Sequence, residues 1–347
     1  MIASAIVAPK SKPYPMLADD ILAAPYQSTL HREIFECAKL SVANAVRFIL
    51  DRDVVVAAHL VADAMPSSIV AGLPLCRLPY PTTWFEYAGL DRPARTAPGT
   101  IVPGRVGLLC EMDSSALDTF TVSVFLAHRS ARDAVELSPV ALSFDMSASG
   151  RMRPHVESQK QKRGASIGGL QKELKWSAQL PHQKIATNQR EFEAALELSN
   201  RVLFEKSRYF APLENAVVAN AGKSAFESLM RMGQSNSEAE AGPLLGILML
   251  LNTRNGTTRQ FADLVKLNAA RRKRGVEPLL EHWTVTLRLS AGRARALARW
   301  DVPGHEMRAH LVRGHFKIRK SGIYWWSPHV RGHVELGMTH KDYRIRR

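Results

Sequence analysis

Apolar side chains recur at Phe35, Ala38, Val42, Ala45 and Ile49, a three-and-four spacing that lays one buried stripe along a helix. The pattern predicts a helix over 29–50, after an irregular proline-bearing arm at 11–27, and a second helix over 53–65 that stops before Pro66. Over 68–144 the texture changes to short β-branched and aromatic runs, at 82–87, 106–112 and 120–126, separated by Pro and Gly. In the last of these, Thr119, Thr121 and Ser123 alternate with Phe120, Val122 and Val124, the period of a half-buried strand. Asp113-Ser114-Ser115 supplies turn chemistry ahead of it.

Helical spacing returns in Phe192, Ala195, Leu196 and Leu203. Asn188 stands as a cap with Glu191 three residues on, so a helix is expected to about Tyr209. Residues 216–232 read as helix, 234–242 as a polar connector and 244–251 as an apolar helix. Beyond a turn-rich break at 252–256, residues 263–274 read as a helix ending at Gly275, with Leu264, Leu267 and Ala270 toward the core. Trp283, Val285, Leu287 and Leu289 then alternate with His282, Thr284, Thr286 and Arg288 in a strand with one polar face. Residues 290–307 form a polar, basic excursion. His315, Lys317 and Arg319 next alternate with Phe316 and Ile318, and Lys320-Ser321-Gly322 is a hairpin turn into a returning strand at 323–326.

These elements predict an α+β fold, with helical N-terminal and central segments around a mixed or antiparallel sheet and a basic β-hairpin region at the C-terminus. The segments are an α+β region at 1–145, a basic Gly- and Pro-containing linker or long loop at 146–185, a helical region at 186–253 and the basic region at 254–347. The strand at 281–289 can pair with the sheet of 68–144, which would make the chain one continuous domain. A hydrophobic content of 46% over 347 residues supplies a full core and excludes a disordered chain.

No apolar run approaches the roughly 18 residues that span a bilayer, and the first ten residues lack the cationic start of a secretory signal. A cytoplasmic protein of a bacterial host cell, with no membrane partner, is the expectation. Cys37, Cys76 and Cys110 are far apart and form no CxxC pair, so disulfides and a cysteine zinc site are not expected, and all three read as buried small hydrophobes.

Charge sharpens the picture. Residues 254–347 hold 21 of the 47 Lys and Arg against 7 of the 32 Asp and Glu, so they carry +14 of the formal +15. A charge this segregated points to a polyanion, nucleic acid above all. Arg271, Arg272, Lys273 and Arg274 crowd one helix end, where the helix dipole accounts for one or two cations but not four. The stretch 308–332 adds Arg308, His310, Arg313, His315, Lys317, Arg319, Lys320 and Arg331 beside Tyr324, Trp325 and Trp326. Cations that hold phosphates beside rings that stack on bases are the equipment of single-strand and RNA binders. Alternation requires that at least one of the two tryptophans be core.

Enzyme chemistry is less well supplied. His310, His315, His329 and His333 raise metal and acid–base readings, yet His310 and His315 are five apart and fall on opposite faces of a regular strand unless Gly314 introduces a bulge. Asp301, Glu306 and Glu335 are the local carboxylates. P-loop, GxGxxG, GxSxG and HExxH motifs are absent. Neither a cofactor nor a metal is expected; a nuclease using His310 and His315, or a virion-associated interaction module, are the alternatives to a binding protein.

Five strings carry a resemblance: Leu78-Pro-Tyr-Pro-x-x-Trp84-Phe-Glu-Tyr87, Leu251-Asn-Thr-Arg-Asn, Leu267-Asn-x-Ala-Arg-Arg-Lys-Arg-Gly-Val-Glu-Pro-Leu-Leu, Arg308-x-His310-Leu-Val-Arg-Gly-His315-Phe and Trp326-Ser-Pro-x-Val-x-Gly332. Together they resemble a family encoded by bacteriophages, prophages and plasmids that includes a type V anti-CRISPR. That member recognises the nascent N-terminal segment of the CRISPR nuclease and triggers loss of its message. The resemblance implies a mobile-element regulator, and together with the charge partition it leads to the expectation that the near-neutral front meets a protein or nascent peptide while the basic tail engages RNA or the ribosome.

Overall fold

The computed structural model describes residues 16–23, 29–90, 103–128, 135–147, 182–210, 214–288, 308–312, 314–319, 321–326, 329–331 and 333–339. The fold is α+β. At its centre lies a mixed sheet of nine strands. It uses β1 (Val46–Leu50), β2 (Thr82–Ala88), β3 (Pro103–Asp113), β4 (Ala116–His128), β5 (Val135–Leu137), β6 (Val140–Asp145), β7 (Val202–Lys206), β8 (Thr257–Phe261) and β9 (Trp283–Leu287). The order is β7-β6-β4-β3-β2-β1-β9-β8, with β5 beside β4. β1 runs parallel to both β2 and β9, and every other pairing is antiparallel. Because β9 sits between β1 and β8, the basic C-terminal segment is stitched into the same sheet as the front of the chain.

Both faces of this sheet are covered, which is why its central strands read as apolar runs. One face sends Phe48, Phe85, Leu108, Val124 and Val285 against α3 (Arg52–Ala64), α4 (Pro66–Ala71) and a helix at Leu244–Asn252 whose residues Leu244 through Leu251 are all buried. A helix apolar all round can sit only in such an interior. Gly246 is there because a β-carbon would come within 2.7 Å of the Ala58 carbonyl oxygen on α3. The other face sends Trp84, Leu109 and Phe125 against α1 (Leu17–Ala23) and α2 (Thr29–Asn44).

Five expectations change. The predicted helix at 29–50 ends at Asn44, and residues 46–50 are β1. Ile49 fits the helical stripe, yet as a strand residue it packs on the same α2 face of the sheet, so its spacing could not separate the two. Arg47 closes the helix from β1, donating from Nη2 to the Val42 carbonyl at 3.1 Å and to the Ala43 carbonyl at 2.5 Å. The helix expected at 188–209 is α5 (His182–Ser199) followed by β7, so Asn188 is interior rather than a cap. Glu191 serves α4 instead, accepting from the Ser67 backbone N–H at 2.8 Å and hydroxyl at 2.6 Å.

Residues 216–232 split at Gly222, whose φ of 83° breaks the run into α6 (Glu214–Ala221) and α7 (Lys223–Ala241). The supposed connector at 234–242 lies mostly within α7. Its polar residues are held by distant partners: Ser237 donates to the Val140 carbonyl at 2.7 Å, and Tyr87 donates its hydroxyl to the Glu240 carbonyl at 2.7 Å. Finally Cys37 is exposed, while Cys76 and Cys110 are buried as expected. Burial pushes the Cys76 thiol up to about 12 and the Cys110 thiol well above its ordinary range, so both stay protonated.

The other predicted helices and strands stand, α8 (Leu244–Asn252) and α9 (Val265–Lys273) included. The Asp113–Ser115 turn is closed by the Asp113 carboxylate, which accepts from the Ser115 N–H at 2.9 Å and hydroxyl at 2.6 Å. The linker expected at 146–185 and the excursion at 290–307 fall largely or wholly outside the described residues. Among the described residues of the C-terminal region are two small sheets. β11 (His315–Arg319) and β12 (Gly322–Trp326) form a hairpin, and β10 (Arg308–Val312) lies between β13 (His329–Arg331) and β14 (His333–Thr339). Among the described residues no helix is long and apolar enough to cross a membrane.

Candidate nucleic-acid interface

The β11–β12 hairpin follows from its sequence. Alternation in His315-Phe-Lys-Ile-Arg319 faces the alternation in Gly322-Ile-Tyr-Trp-Trp326, with His315 opposite Trp326, Phe316 opposite Trp325, Lys317 opposite Tyr324 and Arg319 opposite Gly322. Directly opposed residues share a face, so one face carries Phe316, Ile318, Ile323 and Trp325 and the other carries His315, Lys317, Arg319, Tyr324 and Trp326. Gly322 leaves the turn at φ 131°, a left-handed conformation that favours glycine. The Tyr324 hydroxyl donates to the Ser321 carbonyl at 3.2 Å and steadies the same turn.

The apolar face docks on the main core. Trp325 is 2% exposed and meets Phe316 edge-on, with centroids 5.0 Å apart. Both belong to the cluster formed by Phe48, Val285 and α8. Asn255 fixes the depth of docking: its amide donates to the Trp325 carbonyl at 2.8 Å and accepts from the Trp325 N–H at 3.0 Å, so one side chain imitates a strand neighbour. The Trp325 indole Nε1 is buried without a hydrogen-bond partner among the described residues. Toward the turn the hairpin overhangs, and Ile318, on the same face as Phe316, is 51% exposed.

On the opposite face Arg319 and Trp326 are exposed, and His315, Lys317 and Tyr324 are half-buried. Trp326 is 40% exposed, the Lys317 ammonium lies 4.4 Å above its ring centroid, and the His315 ring is 5.9 Å from it at 40°. Arg319 is exposed one step further along. The structure therefore divides the two tryptophans: Trp325 is core and drops out of the predicted nucleic-acid-binding set, and Trp326 stays.

The remaining predicted residues are placed differently. Arg272, Lys273 and Arg274 are exposed at the end of α9. Arg271 is half-buried and donates from Nε to the Glu277 carbonyl at 2.6 Å, which ties it to the turn. Gly275 (φ 67°) donates to the Arg272 carbonyl and Val276 to the Arg271 carbonyl, both at 3.0 Å, a Schellman ending. The helix packs through Leu264 and Asn268 rather than through Leu267 and Ala270, because Asn268 both donates to the Leu279 carbonyl and accepts from the Leu279 N–H. Arg308 and His310 lie in β10 and Arg331 in β13, where His310 is paired with Arg331. Arg313 and Lys320 lie outside the described residues. His310 and His315 belong to different sheets, and among the described residues no cluster of His, Cys, Asp or Glu could hold a metal ion.

Asn255 and Arg259 are structural supports that periodicity missed. Arg259 donates to the Leu251 carbonyl at 2.6 Å with its guanidinium 5.7 Å from the Phe48 ring centroid, and burial lowers its pKa. Asn255 lies within the string Leu251-Asn-Thr-Arg-Asn, whose Asn252 also donates to the Leu75 and Arg77 carbonyls at 2.7 and 2.8 Å. The string was the available signal, and it marks where the hairpin and the segment before β2 are tied to α8.

The Leu78–Tyr87 string is likewise scaffolding. Glu86, buried in β2, accepts from the Leu17 N–H at 2.6 Å, the Ala18 N–H at 3.3 Å and the Trp84 indole at 3.0 Å, so it caps α1. Burial pushes its carboxyl up to about 7 against those donors and nearby Arg105, which hold it down. Between its ordinary unfolded range and 7 the folded state keeps a proton that the unfolded chain releases. The resulting stabilisation is complete below the unfolded pKa and is lost as pH rises through about 7. The stability advantage of wild type over Glu86→Gln is expected to shrink by up to about 3 kcal/mol between acid and mildly alkaline solution. Urea melts at several pH values check this, and a constant or growing gap would contradict it.

Compared with protein-family models, curated proteins and solved structures, the chain matches none.

Proposed function

We propose that this protein is a cytoplasmic regulator of a phage or other mobile element that binds RNA through the outward face of the β11–β12 hairpin. The observation that supports it most is the ammonium of Lys317 standing 4.4 Å over the exposed ring of Trp326, on a face shared with His315, Arg319 and Tyr324. Such a face offers phosphate-binding charge and a stacking ring within one nucleotide's reach. The concentration of 21 basic against 7 acidic residues in 254–347 supports a polyanionic partner, with Arg272, Lys273 and Arg274 as an auxiliary patch. The mobile-element setting, and a protein or nascent-peptide target on the front, rest on the sequence resemblance. Since β9 is sewn between β1 and β8, this division of labour is tested by surface substitution, not by cutting the chain at 253.

The test is the salt dependence of binding to a labelled single-stranded RNA. Removing one cation that neutralises a phosphate is expected to flatten the plot of log affinity against log salt by about 0.7. Lys317→Ala/Arg319→Ala should therefore weaken binding and flatten the slope by about 1.4. A double variant with unchanged affinity and slope would refute the assignment.

A further inference from the structure

We infer that the ligand of this face is an unpaired nucleotide whose base stacks on Trp326 after displacing the Lys317 ammonium, so that single strands are selected over duplex; this rests on the nucleic-acid reading above.

One side of the hairpin is turned toward the core and the other away from it. A two-stranded ribbon can enter the major groove of a duplex and read base edges, but that requires the ribbon to stand away from its domain. Here Phe316 and Trp325 are buried in the main core and Asn255 bonds both backbone groups of Trp325, so the ribbon is anchored to its domain along one face rather than standing away from it. The outward side chains opposite one another are His315 and Trp326, and then Lys317 and Tyr324. Rings rather than Asn or Gln amides occupy the centre of the face. An indole offers a stacking plane, and in a duplex the faces of the bases are already used by their neighbours.

Lys317 supplies the second step. In the free protein its ammonium covers the Trp326 ring. An exposed cation–π interaction is worth about 0.5–1 kcal/mol, whereas stacking of a base on an aromatic side chain is worth about 1–3 kcal/mol. The exchange therefore favours the base, and the displaced ammonium is set free on a flexible stem beside the incoming phosphate. Arg319 lies two residues along the same face, and five residues of strand extend about 17 Å, room for two or three nucleotides.

The experiment compares a ten-nucleotide oligouridine RNA, its DNA counterpart and a blunt RNA duplex, each labelled, on wild type, Trp326→Ala, Trp326→Phe and Lys317→Ala/Arg319→Ala. Expected are tighter binding of both single strands than of duplex, and a loss of about 5- to 150-fold for single strands in Trp326→Ala. Trp326→Phe should retain most of the affinity, and duplex binding should be indifferent to residue 326. RNA and DNA strands that bind alike would assign recognition to base and phosphate; preference for RNA would add the 2′-hydroxyl, with stacking intact. Duplex binding as tight as single-strand binding, or a Trp326→Ala variant that binds normally while Lys317→Ala/Arg319→Ala is weakened, would overturn the stacking inference and leave the nucleic-acid reading standing. No binding of any probe would overturn both.

Discussion

Replacing Trp325 by Ala is expected to cost about 3–5 kcal/mol of stability, the range for deleting a large aromatic side chain from a packed core. Trp325 is 2% exposed, stands edge-on to Phe316 and belongs to the cluster that includes Phe48, Val285 and α8. The loss therefore reaches from the hairpin into the main sheet. Trp325→Phe should cost much less, because the indole N–H it removes has no partner among the described residues and a ring remains against Phe316. Trp326→Ala should leave the denaturation midpoint nearly unchanged. Chemical denaturation of the three variants checks the ordering, and equal losses at 325 and 326 would contradict the assignment of one tryptophan to the core and the other to the surface.

Asn255 carries the second large effect. Its side-chain amide serves both backbone groups of Trp325, so Asn255→Ala leaves a buried N–H and a buried carbonyl without partners. Each such group costs about 1–3 kcal/mol, and the two together make this polar residue as sensitive as a core hydrophobe. Asn255→Asp separates the contributions: the carboxylate still accepts from the Trp325 N–H but cannot donate to its carbonyl, and its oxygen is brought toward another oxygen. The expected order of stability is wild type, then Asp, then Ala at low pH, where a protonated Asp can donate; at neutral pH Asp should fall toward Ala. Melting curves at two pH values decide it, and a neutral Asn255→Ala would mean that the hairpin is held by its aromatic packing alone.

Much of the hairpin was legible because its information is local. Alternation over five residues, a glycine at the turn and paired cations fix register and face together, and the division of Trp325 from Trp326 follows from alternation once one face is known to be buried. The segments misread were those where two periodicities coincide or where partners are remote. Ile49 and Leu203 satisfy a helical stripe and a strand equally well, so only pairing with the sheet decides them. Ser237 and Glu240 look like connector residues until Val140 and Tyr87 supply their partners. Asn255 meets Trp325 seventy residues later in the chain, a separation that no local pattern can report. The cationic end of α9 could be discounted only in part from sequence, since the Schellman ending explains the turn and Arg271 while Arg272, Lys273 and Arg274 remain exposed.

The central claim is that nucleic acid lies on the outward face of the β11–β12 hairpin. Ultraviolet crosslinking of the full-length protein to single-stranded oligouridine, followed by mass spectrometry of the adducted peptides, tests it most directly. Adducts on Tyr324 or Trp326, abolished when Lys317 and Arg319 are both replaced by Ala, are the predicted result. Adducts confined to residues outside 315–326, with Tyr324 and Trp326 unmodified, would contradict it.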